Sequence, residues 1–124
     1  MSYTTHCQTK SLMDMAEEFR SAYSLGMTAM TTQKSLIDEE YHEFCKAFLN
    51  EGFEEQLKEL ADLVYVCYQY AAAKDWDLDE AMKRVHRSNL SKLGEDGKPI
   101  RREDGKVLKG PSYAPPTLID LVND

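Results

Sequence analysis

The chain has 124 residues, 42% hydrophobic and 30% charged, which suits one folded domain over residues 1–124 and excludes a disordered tail. No apolar run approaches the ~18 residues of a membrane span, and Met1-Ser2-Tyr3-Thr4-Thr5-His6 lacks the basic and apolar regions of a secretory signal. A net charge of −7 argues against nucleic acid as a partner, and three cysteines without paired spacing (Cys7, Cys45, Cys67) argue for small buried thiols in a reducing cytoplasm.

In chain order, the spacing predicts a first helix over residues 9–26, with Leu12, Met15, Phe19, Ala22 and Tyr23 as its apolar stripe and Gly26 closing it. A second, over 32–50, carries Leu36, Ile37, Tyr41, Phe44, Ala47 and Phe48; Asn50-Glu51-Gly52 reads as a tight connection. The third, over 53–74, is apolar almost without break from Leu60 to Ala73, so it is expected at the centre, buried by neighbours all round. A fourth starts at Asp77, runs along Leu78, Ala81, Met82 and Val85, and ends at Gly94. Lys98–Arg102 and Lys106–Lys109 then flank Glu103-Asp104-Gly105 as a β-hairpin, followed by an extended tail with Pro111, Pro115 and Pro116. The fold class is therefore all-α: a four-helix bundle over about 9–94, with a hairpin and tail over about 95–124.

The acidic residues are not scattered. Glu39, Glu40 and Glu43 lie on the second helix, Glu59 and Asp62 on the third, and residues three apart share a helix face. Counted from Glu51, Glu43 and Glu59 are mirror positions, as are Glu40 and Asp62, so an antiparallel pair brings four carboxylates to matching heights. Taken singly, such Glu residues are solvated helix faces. Asp62, however, interrupts an apolar run, and no Lys or Arg lies within three residues of it. Converging carboxylates raise one another's pKa unless a cation compensates, and oxygen-only ligands select a hard ion, Mg²⁺ or Mn²⁺. Glu39 and His42 also form an E-x-x-H, the element of a di-iron bundle, but such bundles need two, and His86 has Lys83 where the second Glu would stand.

Charge is also divided along the chain. Residues 1–82 hold 6 basic against 16 acidic side chains, whereas 83–109 hold 9 against 4. Asn89 and Lys92, on the continuation of the Val85 stripe, and Lys106 and Lys109 on the hairpin, are candidate phosphate contacts. Tyr113, between prolines, is a candidate recognition residue.

Glu39-Glu40-Tyr41-His42-Glu43 followed by Glu59-Leu60-Ala61-Asp62 resembles the E-E-x-x-E … E-x-x-D signature of the MazG-like, all-α nucleoside triphosphate pyrophosphohydrolases. Val85–Leu93 is similar to the Asn/Lys segment of that superfamily, and Gly105–Tyr113 to the tail of its phosphoribosyl-ATP pyrophosphohydrolase-like members. The resemblance spans roughly residues 10–116. It implies that Glu40, Glu43, Glu59 and Asp62 ligate Mg²⁺ (Mn²⁺ as substitute), that Glu39 assists, that Asn89 and Lys92 touch phosphates, and that the chain forms homodimers or homotetramers. The implied reaction takes a nucleoside triphosphate, a deoxynucleotide and by preference dGTP, to monophosphate and pyrophosphate in the cytoplasm. Water would be the nucleophile, with Glu39 or Glu43 assisting its deprotonation. Phosphoribosyl-ATP hydrolysis in histidine biosynthesis is the alternative of like chemistry; a non-catalytic helical interaction module is the alternative of another class.

Overall fold

The computed structural model describes residues 9–26, 29–50 and 52–122. Four helices, α1 (Leu12–Ala22), α2 (Met30–Asn50), α3 (Phe53–Lys74) and α4 (Leu78–Leu90), precede a hairpin of β1 (Ile100–Arg101) and β2 (Val107–Leu108) and a single 3₁₀ turn at Ile119–Leu121. The fold is all-α and bundle-like, as the periodicity predicts. No helix among the described residues is long and apolar enough to cross a membrane. The chain divides into two compact units, Met1–Asp77 and Leu78–Asp124.

In the first unit α3 is the shared element, packing against both α2 and α1. Its bounds match the prediction, and Asp75 ends it in the left-handed region at φ 61°, a conformation Asp tolerates better than most residues. The expectation of burial on all sides fails. Tyr68, Gln69 and Ala71 are buried, but Leu57, Leu60, Val64 and Tyr65 stand 66%, 43%, 42% and 40% exposed. Two neighbouring helices cover only part of a helix circumference, and the remaining arc forms, with Leu12 and Met15 of α1, one wall of an apolar groove of about 370 Å³.

α1 is shorter than predicted. Ser11 caps it, accepting from the Asp14 amide at 3.1 Å while the Asp14 carboxylate accepts from the Ser11 amide, a capping box that the apolar stripe alone does not reveal. The helix stops at Ala22, four residues before Gly26, because Ser24 enters the left-handed region (φ 51°) and the Leu25 amide bonds back to the Arg20 carbonyl. Its buried face is Met13, Ala16 and Arg20 rather than the predicted stripe. Arg20 goes inside because its guanidinium is satisfied there: Nη1 donates to Gln69 Oε1 at 3.3 Å and Nη2 to the Gly26 carbonyl at 2.9 Å. Gln69 Nε2 in turn donates to the Ala16 carbonyl at 3.2 Å, tying α3 to α1 by a buried polar link. Cys45 and Cys67 are free and half-buried rather than buried; Cys7 lies outside the described residues.

In the second unit α4 ends at Leu90, not Gly94, because the following amides shift to tighter bonds, Lys92 to the Asn89 carbonyl and Leu93 to that of Leu90. The hairpin pairs Ile100 with Leu108 and Arg101 with Val107, closed through Gly105 at φ 91°. The tail then returns along α4. The Gly110 amide donates to the Lys92 carbonyl at 2.8 Å, and a Cβ at Gly110 would stand 2.4 Å from the Leu93 carbonyl oxygen, so only glycine passes. Ser88 Oγ donates to the Ala114 carbonyl at 2.7 Å. Arg84 finishes the clamp: Nε donates to Glu80 at 2.9 Å, and Nη1 and Nη2 grip the two Asp120 oxygens at 2.7 and 3.0 Å.

Hydrogen bonds from Arg84 hold both Asp120 and Glu80 below the ordinary carboxylate range. The stability this contributes is fully present above the ordinary pKa, 3.8 for Asp120, and is lost as pH falls through the lowered folded values. Acidification below that range should therefore release the tail before α4 unfolds, seen as early loss of hydrogen-exchange protection near Thr117–Leu121. Asp120→Asn should show that loss already at neutral pH.

Candidate metal centre

Because α2 and α3 run antiparallel from their short connection, Glu40 of α2 meets Glu59 and Asp62 of α3. Each of the three offers one carboxylate oxygen, and those oxygens lie within 4.8 Å of one another. Glu59 is buried, Glu40 and Asp62 half-buried. Burial is the first cause, and neighbouring carboxylates a further one, of a pKa above the ordinary range at Glu40 and Glu59.

Glu43 and Glu39 do not join this trio. Both are exposed; Glu43 stands 3.7 Å from Lys46 Nζ. They line, with Asp38, Glu40, His42 and Lys46, a cleft of about 410 Å³ that opens beside the cluster on α2. His42 Nδ1 donates to the Asp38 carbonyl oxygen at 2.7 Å, so that nitrogen is turned to the backbone. On the second unit Asn89 is exposed and Lys92 half-buried, while Lys106 and Lys109 are exposed on the hairpin arm. Tyr113 is half-buried, with Lys109 Nζ 4.9 Å from its ring centroid, a cation–π pair.

One residue escaped the sequence reading. Lys58 Nζ lies 3.0 Å from Asp62 Oδ2 and 3.7 Å from Glu59 Oε1. It is four residues before Asp62, one helical turn, just outside the three-residue window in which no cation was found; a search at i−4 finds it. Its charge lowers the acid pKa values of Glu40 and Glu59, but less than burial raises them.

The donor set fits a hard divalent ion. All three groups are carboxylates, and their separation of at most 4.8 Å compares with roughly 4.2 Å across an octahedral Mg²⁺ shell. Glu40 Oε2 is buried and has no hydrogen-bond partner, a costly state for an anionic oxygen that a cation would relieve.

Carboxylates converging between two helices are what the resemblance to the all-α, metal-dependent pyrophosphohydrolases of the MazG-like kind implies. Within that class, the family model described as phosphoribosyl-ATP pyrophosphohydrolase matches residues 7–89, and the chain belongs to that family. The match covers α1 to α3, both halves of the acidic signature and α4 up to Asn89; Lys92, Lys106, Lys109 and Tyr113 lie beyond it. No curated protein matches the sequence. The protein is accordingly an enzyme, which sets aside the interaction-module reading.

Neutralising Glu40 should stabilise the metal-free protein. Its raised pKa means that ionisation costs the folded state nothing below the ordinary value of 4.5 and most at neutral pH. Glu40→Gln should thus raise Tm in EDTA at pH 7 by a few degrees, with the gain vanishing near pH 4, and should erase any rise in Tm on adding Mn²⁺. Differential scanning fluorimetry at both pH values checks it.

Proposed function

We propose that the enzyme hydrolyses the bond between the α- and β-phosphates of a nucleoside triphosphate, a deoxynucleotide by preference, releasing the monophosphate and pyrophosphate with Mg²⁺ as cofactor. The observation that carries this reading is the unpartnered, buried Glu40 Oε2 beside Glu59 and Asp62. In it, Glu40, Glu59 and Asp62 hold the ion, and Glu43, one turn along α2 from Glu40, completes the ligand set or accepts a proton. A divalent ion held there supplies neutralisation of phosphate oxygens and acidifies water at neutral pH. Glu39 and Glu43 line the adjoining cleft, where either carboxylate can take the proton of an attacking water. Asn89, Lys92, Lys106 and Lys109 are assigned to substrate phosphates and Tyr113 to substrate recognition; the excess of positive charge over residues 83–109 supports this.

Phosphoribosyl-ATP is the second candidate substrate, favoured by the family match over residues 7–89. It presents the same α–β anhydride, so the two readings share one chemistry and differ in what lies beyond the triphosphate. Incubation with Mg²⁺ and a panel of NTPs, dNTPs (dGTP included) and phosphoribosyl-ATP, with products resolved by chromatography, separates them. A dNTP should give the monophosphate and pyrophosphate at the highest kcat/KM; turnover confined to phosphoribosyl-ATP would select the second. Glu43→Gln and Asp62→Asn should each lower kcat by about 100-fold or more with the fold retained. Lys92→Ala should raise KM while leaving Mn²⁺ affinity unchanged.

The proposal includes a homo-oligomer, dimer or tetramer, in which a second copy covers the groove between α1 and α3. Leu12, Met15, Leu57, Leu60, Val64 and Tyr65 line it, and no charged side chain does, the composition of an interface core rather than of a solvated face. Leu60→Glu should therefore lower the mass measured by light scattering to that of the monomer while circular dichroism keeps its helical signal.

A further inference from the structure

Lys58 is out of keeping with a site built to collect cations. Its ammonium lies 3.0 Å from Asp62 Oδ2 and 3.7 Å from Glu59 Oε1, so it touches two of the three clustered carboxylates. A divalent ion and an ammonium cannot both use the same Asp62 lone pairs, and two cations at that separation repel. The hold of Lys58 is weak by construction. Its side chain is 60% exposed, and Lys preceding the acid by four residues is the less favourable order on a helix. Its four-carbon stem and exposure leave the ammonium free to swing into solvent without disturbing α3.

We infer that Lys58 is a resident counter-cation of the metal centre: it partly neutralises Glu59 and Asp62 while no ion is bound, and it must leave Asp62 when a divalent ion enters. Its positive charge thus sets the affinity of the site, weakening it so that the ion is exchanged rather than locked in. The inference rests on the metal-centre reading of Glu40, Glu59 and Asp62. It concerns metal affinity and not the chemical step, so Lys58 is a tuning residue rather than a catalytic one.

The test is Mn²⁺ binding without nucleotide, followed by electron paramagnetic resonance of the free ion, in wild type, Lys58→Gln and Lys58→Arg. Removing the charge should tighten Mn²⁺ binding about three- to tenfold in Lys58→Gln, the range that one competing ion pair and its field can supply. Lys58→Arg, which keeps the charge, should stay within about twofold of wild type. In EDTA, Lys58→Gln should have a lower Tm than wild type, and saturating Mn²⁺ should remove that difference. Unchanged or weaker Mn²⁺ binding by Lys58→Gln would overturn the inference and leave the metal centre standing. Absence of saturable Mn²⁺ binding in the wild type would instead overturn the metal centre itself.

Discussion

Repulsion among carboxylates at the α2–α3 interface is the constraint around which the first unit is arranged. Two full charges about 4 Å apart repel by about 4 kcal/mol at an effective dielectric of 20, and here three acids approach within 4.8 Å. An exposed ion pair such as that of Lys58 is screened by solvent and offsets only a small part of this, too little for the cluster. The helices stay together because the apolar contacts around Ala47, Tyr68 and Ala71 hold the scaffold; the strain shows in Glu40 and Glu59, whose pKa values burial and the neighbouring carboxylates raise. A hard divalent ion would relieve that repulsion and the unpartnered Glu40 Oε2 together, which is why the arrangement favours binding one.

Much of this was legible in the residue pattern, for an identifiable reason. α2 and α3 are long, regularly spaced and joined by a connection of very few residues, so counting outward from Glu51 places Glu40 level with Asp62. What the count could not supply is rotation about each helix axis. Height is a matter of rise per residue, whereas the facing arc depends on packing; hence Glu40 joins Glu59 and Asp62 while Glu43, at an equally good height, turns toward Lys46 and the cleft. The same limit explains α1, where a buried Arg20 held by Gln69 outcompetes the apolar stripe for the inner face. Hydropathy assigns Arg to water and has no knowledge of a partner 49 residues away.

The apolar character of α3 misled in a different way. A run from Leu60 to Ala73 implies burial, but it does not say by what. In the single chain α1 and α2 cover part of that run, and Leu60, Val64 and Tyr65 remain open on a groove whose walls carry no charge. Periodicity measures how much of a helix must be hidden, and a chain of 124 residues need not hide it all by itself.

The second unit is held by different means, mainly polar bonds from α4 to the main chain of the tail. At Lys92 that distinction separates main chain from side chain. Its carbonyl anchors Gly110, a task any amino acid performs, while its ammonium takes no part in the anchor. The side chain there is consequently at liberty to vary without loosening the anchor, so the phosphate contact proposed for its ammonium can be removed while the tail stays tied.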